Sequence, residues 1–219
     1  MTRSSRQRDW STTLVNIRKY DAKWRQGGPQ AFEAFRNFVS HLLCLTVGAE
    51  DAGVHLVLDK RSREKTATLQ GGYGRGDSAV LLTNGRYLKL VVSLFLNPQA
   101  EDNFVRVRLS NFQYQTDALG DDWVFRYEYE RDPGARRHPG GHLHIRGQEF
   151  TCQDVKIART LEDIPFPTGR PTLESTIRLL IEQFGVPSSS DSSVWRPVLD
   201  KSEEDFLRIA HSPGPGYGS

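Results

Sequence analysis

Trp123-Val124-Phe125-Arg126-Tyr127-Glu128-Tyr129-Glu130-Arg131 alternates aromatic with mostly charged residues, and that alternation decides the fold. A period of two is the mark of a strand with one face buried and one face polar. Upstream, 104–116 repeats the pattern, setting Val105, Val107 and Leu109 against Arg106, Arg108 and Ser110, and Gly120-Asp121-Asp122 supplies the turn between the two runs. Two adjacent amphipathic strands joined by a short turn predict an antiparallel pair.

Working outward, Tyr87 to Leu96 is rich in Val and Leu and reads as a strand covered on both faces. Asn84-Gly85 before it predicts a two-residue hairpin turn to a strand over 78–83. Val54, Leu56 and Leu58 mark an earlier strand, and the glycine-rich run 71–77 reads as a loop. That run has no Gly-Lys-Ser/Thr and opens no helix, which excludes a phosphate-binding P-loop. Two helical stretches precede the strands. One is weakly spaced, through Trp10, Leu14, Ile17, Tyr20 and Trp24; the other is strong, with Phe32, Phe35, Phe38, Val39, Leu42, Leu43 and Leu45 on one face.

Downstream, 142–146 predicts a short strand with 150–157 as its hairpin partner, and the proline-rich run 164–171 an extended connection. Thr172 is placed to cap a helix whose buried stripe is Leu173, Ile177, Leu180, Ile181 and Phe184, with Glu174 favouring the positive end of the helix dipole. Helices, consecutive strands, then a helix predict an α+β fold: one antiparallel sheet packed by two main amphipathic helices, in a single domain over 10–186. A flexible basic arm is expected over 1–9, and a linker, a short helix over 201–211 and a flexible tail over 187–219.

Composition narrows the classes. In 219 residues Lys+Arg number 29 against Asp+Glu 27, a net charge of +2 that excludes a polycation but not a local basic patch. A mean hydropathy of -0.54, with no apolar run approaching the roughly 18 residues of a spanning helix, predicts no membrane partner. Cys44 and Cys152, the two cysteines, are too few for a disulfide scaffold and read as small buried hydrophobes. With no apolar leader at the N-terminus, the expected location is cytoplasmic.

Chemistry concentrates in His138-Pro139-Gly140-Gly141-His142-Leu143-His144-Ile145-Arg146. On a strand His142, His144 and Arg146 project together while Leu143 and Ile145 face the core. Imidazole exchanges protons near neutral pH and a guanidinium neutralises charge on phosphorus, so the stripe suits phosphodiester chemistry with the histidines as acid and base and no cofactor. Arg136, Arg137 and His138 precede it as candidate substrate contacts, with Arg106 and Arg108 beyond them. Phe112 and Tyr114, on the same predicted face as Arg106 and Arg108, complete a mix suited to single-stranded nucleic acid. A metal centre is the alternative use of the two histidines, with His138, Asp132, Glu128 or Glu130 as third ligand. A solvent-facing, His-bearing strand with no chemistry is the plain one. Arg126, Glu128 and Glu130 share a face whose side of the sheet the sequence leaves open.

The run 123–186 resembles small bacterial toxins of the TumE-like kind. It shares with them the aromatic-alternating strand (Phe125-Arg126-Tyr127-Glu128-Tyr129), a Pro/His loop, the His142-Leu143-His144 strand, and Pro167-Thr168-Gly169-Arg170-Pro171-Thr172-Leu173-Glu174 before an amphipathic helix. The resemblance implies RNA as substrate and His142 and His144 as functional positions. The leading expectation is therefore a nucleic-acid-processing protein, a ribonuclease of toxin or defence type, partnered by single-stranded RNA and an antitoxin. A second expectation, from the basic arm and Pro/Gly/Ser-rich tail, is a non-catalytic adaptor or subunit of a multi-protein assembly.

Overall fold

Antiparallel pairing of consecutive segments organises the chain. The computed structural model describes residues 10–27, 30–50, 52–59, 65–72, 78–96, 105–131, 140–147, 151–152, 155–156 and 163–211. Helices α1 (Ser11–Arg25) and α2 (Ala31–Leu45) come first, followed by β1 (Val54–Asp59), β2 (Lys65–Gly71), β3 (Ala79–Leu81), β4 (Tyr87–Leu96), β5 (Val105–Gln115), β6 (Trp123–Glu130) and β7 (Gly141–Ile145). The small pieces β8 (Thr151–Cys152), β9 (Val155–Lys156) and β10 (Phe166–Pro167) precede α3 (Leu173–Glu182) and α4 (Ser192–His211). The main sheet runs β1-β2-β4-β5-β6-β7-β10, with β3 also on β4, and every recorded pairing is antiparallel. The α+β architecture read from the sequence is the one observed.

One face of the sheet carries the core. Leu88, Leu90, Val92, Leu94 and Leu96 of β4 are buried while the residues between them are half-buried. Register sets Tyr114 of β5 beside Leu88 and Phe125 of β6, and Leu143 of β7 beside Tyr127. All four helices meet this face. A cavity of about 30 Å³ lies where they converge, lined by Trp24, Phe35, Phe38, Leu90, Phe112 and Phe206 among others. The Trp24 and Phe35 rings meet edge-on at 5.2 Å, and Phe184 packs 5.2 Å from Phe125 and 5.3 Å from Tyr114.

Several local expectations are corrected. Strand β2 occupies 65–71, a stretch that the alternation does not mark, and takes in Gly71, the first residue of the expected glycine loop. The β3–β4 turn is a three-residue loop: Gly85 N–H donates to Leu82 O and Leu82 N–H to Arg86 O, with Gly85 at φ +77°. Those two hydrogen bonds and the left-handed Gly85 are the pattern of a three-residue hairpin loop, where a glycine is favoured at the last loop position. The partners of β7 are β6 and β10, whereas β8 and β9 pair only with each other. In the β4–β5 pairing a register shift at Ser93/Leu94 of β4 leaves Arg108 of β5 without a partner on β4, and the alternation of β5 changes phase there. Ser110, Phe112 and Tyr114 consequently face the core, Phe112 and Tyr114 being 3% and 1% exposed, and neither can stack on a nucleobase.

The largest difference is C-terminal. Helix α4 begins at Ser192, nine residues before the expected short helix, despite Pro197, which forgoes one helical hydrogen bond. Tertiary contacts outweigh that loss. Trp195 and Leu199 are buried in the core, and Arg178 of α3 pairs with Asp200 and Glu203. The serine-rich segment before α4 docks as well: Ser189 N–H and Ser190 Oγ donate to Thr46 O and Leu45 O at the end of α2. It serves as a cap on carbonyls that α2 cannot satisfy internally. Truncating Trp195 to Ala is expected to cost about 3–5 kcal/mol. Urea denaturation checks this, and a loss under about 1 kcal/mol would contradict the docking.

Thr172 caps α3 as expected, its Oγ1 accepting from Ser175 N–H at 2.9 Å. Glu174 does not spend its charge on the dipole in solvent. It is 4% exposed and accepts from the Ser202 hydroxyl of α4. Burial pushes its carboxyl above the ordinary value, more than the Ser202 hydrogen bond draws it down. A raised folded-state value means the stabilising share is complete below the ordinary carboxylate range and is lost as pH rises through the raised value. Glu174→Gln should flatten the Tm–pH curve and raise Tm at neutral and alkaline pH by roughly 2–4 °C, about 1 kcal/mol for this chain length. Superimposable curves for variant and parent would contradict that.

Candidate active site

The pleat that drives Phe125, Tyr127 and Tyr129 toward the helices turns Arg126, Glu128 and Glu130 to the other face. Glu128 pairs across β6–β7 with His142, and Arg126 with His144. Across β5–β6, Glu128 pairs with Asn111. Three adjacent strands therefore place a carboxylate between an amide and two imidazoles on one surface, the relation the sequence left open. The start of β7 is held tightly: a Cβ at Gly141 would sit 2.7 Å from Gly169 O, so only glycine fits against the chain leading out of β10.

Glu128 is the hub. Its Oε2 lies 3.2 Å from His142 Nε2 and 3.8 Å from His144 Nε2. Its Oε1 accepts from Asn111 Nδ2 at 2.9 Å and stands 3.0 Å from Arg126 Nε, an ion pair lacking hydrogen-bond alignment. The two imidazole rings meet nearly perpendicular, 5.0 Å apart. Side-chain exposure is 4% for His142, 12% for His144 and 31% for Glu128, so the carboxylate is the group a ligand reaches most readily. Beside it lies a cleft of about 190 Å³ lined by Leu109, Ser110, Asn111, Glu128, Tyr129, Glu130 and His142. Asn111 Oδ1 is buried there with no hydrogen-bond partner among the described residues.

The other expected site residues fall differently. Arg146 turns to the β5–β6 turn, its guanidinium 3.0 Å from Asp122 Oδ1 and hydrogen-bonded to Asp121 O. It continues the histidine stripe in the backbone, but its charge is engaged at the strand end. Ile145 pairs with the buried Phe125 and so lies on the core face as expected, but it is 39% exposed. Arg106 lies opposite Phe95 on the cluster's face, and the Arg108 guanidinium sits 5.0 Å from the Phe95 ring. Arg136, Arg137 and His138 lie outside the described residues, as do Asp132, the arm over 1–9 and the tail from 212.

Glu128 was one of four carboxylate or imidazole candidates, and only the β6–β7 register singles it out. Asn111 was missed altogether. Its signal, the alternation along β5, is hidden by the phase change at Arg108. Compared with known proteins, the chain matches no family model, no curated protein and no solved structure.

Proposed function

We propose that the chain cleaves RNA phosphodiester bonds at the Glu128–His142–His144 cluster. The observation that carries this reading is the convergence of two imidazoles on one carboxylate, with a guanidinium beside it and a cleft open to it. RNA brings its own nucleophile, the 2′-hydroxyl. Cleavage then needs a group to take that proton, a group to return one to the departing 5′-oxygen, and positive charge against the phosphorane. The cluster offers Glu128 and His142 within hydrogen-bond reach of each other, with His144 3.8 Å from the same carboxylate oxygen, and Arg126 supplies a fixed positive charge.

Arg106 and Arg108 extend the same face. They stand five and three residues from Asn111 along β5, roughly 10–16 Å at strand rise, a span a short single strand covers. Phe95, on that face, is an aromatic surface in place of the core-bound Phe112 and Tyr114. The resemblance of 123–186 to TumE-like toxins adds RNA as the substrate class.

Incubation of the purified chain with end-labelled single-stranded RNA tests the reading. The parent is expected to cleave, and the His142→Ala/His144→Ala double variant to lose about 100-fold or more in rate, the scale of general acid–base catalysis. Arg106→Ala/Arg108→Ala should weaken RNA binding and reduce its salt dependence. Cleavage undiminished in the histidine variant would overturn the assignment. A folded parent that cleaves no RNA would leave the adaptor as the better account.

A further inference from the structure

We infer that Glu128, His142 and His144 form a binding site for one divalent transition-metal ion. The inference deepens the RNA-cleavage reading of the same cluster by naming its cofactor.

Three observations carry it. One ligand atom from each of the three side chains lies within 4.8 Å of the other two. Metal–ligand bonds of about 2.0–2.1 Å put neighbouring donors roughly 3.0–3.4 Å apart. Glu128 Oε2 and His142 Nε2 already stand at 3.2 Å, and His144 Nε2 at 3.8 Å from the same oxygen needs only a small side-chain rotation.

The donors also sit on paired strands rather than a loop, at Glu128↔His142 and at His144 two residues on. Backbone hydrogen bonds thus fix the spacing before any ion arrives.

The surroundings behave as a supporting shell. Asn111 Nδ2 holds Glu128 Oε1, which leaves Oε2 directed at the imidazoles. The buried Asn111 Oδ1, without a hydrogen-bond partner among the described residues, belongs to a residue lining the adjoining cleft and can accept from a water on the ion. Two imidazoles and one carboxylate select a first-row ion such as zinc, cobalt or iron(II) over magnesium or calcium, which want all-oxygen sites.

The charges fit an anionic substrate. A dication, the Glu128 carboxylate and the Arg126 guanidinium sum to +2, which one phosphodiester partly neutralises. With the ion bound, His142 and His144 act as ligands. A water on the ion, its acidity raised, would take the 2′-hydroxyl proton once ionised and, reprotonated by that step, would return the proton to the departing 5′-oxygen.

The test titrates the full chain with zinc by calorimetry, with cobalt(II) by visible absorption, and with magnesium as control. One equivalent of zinc and of cobalt is expected, with a low-symmetry cobalt band and no magnesium uptake. Glu128→Gln and His144→Gln should each weaken zinc by more than the about 10–100-fold typical of losing a supporting partner, and Asn111→Ala by about that amount. Circular dichroism melts establish that each variant is folded, and His144→Gln, at the least buried imidazole, is the safeguard should Glu128→Gln unfold.

Zinc affinity unchanged in folded Glu128→Gln and His144→Gln would overturn the site, as would no stoichiometric uptake by the parent. RNA cleavage that persists in EDTA would overturn the ion's part in the reaction while leaving cleavage itself standing. Stoichiometric zinc without any RNA cleavage would uphold the site and overturn the substrate.

Discussion

Burial of one face of a pleated sheet is the constraint from which the rest follows. Four helices cover that face, and Leu88, Leu90, Phe112, Tyr114 and Phe125 have no low-energy alternative to pointing into them. Slipping β6 by one residue against its neighbours would expose Phe125 and bury Arg126 and Glu128 without solvent. The apolar side therefore fixes the register of β5, β6 and β7. Fixed register in turn stacks Asn111, Glu128 and His142 across three strands on the polar side. The geometry of the candidate site is a by-product of core packing several ångströms away, which makes it rigid.

The C-terminal elements close the helical layer and carry most of its buried polarity. Helix α4 inserts Trp195 and Leu199 into the core and meets α3 through Arg178, Thr172 and Glu174. A buried carboxylate at such a contact is costly when ionised, so α3–α4 packing weakens as pH rises. Arg170 sits at the same junction, its guanidinium 4.4 Å from the Tyr129 ring and 4.7 Å from the Phe206 ring. Burial draws its value down to about 10, yet it stays charged, and aromatic faces compensate where water cannot.

Legibility in the sequence followed the strength of local signal. The strand β6 and the helices α2 and α3 were readable because each carries an unbroken period, two or nearly four, over eight or more residues; β4 was readable from its run of Val and Leu, and β5 from Val105, Val107 and Leu109 ahead of its change of phase. β2 was not, since Lys65 to Gly71 mixes threonine, alanine and glutamine, and only pairing with β1 and β4 makes it a strand. The bulge at Arg108 has no signature in composition, and it alone moves Phe112 and Tyr114 from a supposed binding face into the core. α4 was obscured by serines and Pro197, which disfavour a helix locally, while Trp195 and Leu199 favour it only once α3 is there to receive them.

The candidate site divides in the same way. By itself the sequence determined that two imidazoles and an arginine share one side of a short strand, and that Arg126, Glu128 and Glu130 share one side of another, because side-chain alternation is a property of a single strand. Which of those sides coincide depends on how the strands pair. Pairing is a long-range property set by what the opposite face buries, so the tertiary structure alone joined Glu128 and Asn111 to His142 and His144. It also sent the Arg146 guanidinium to Asp122, where a nearby carboxylate offers a closer ion pair than Glu128 does.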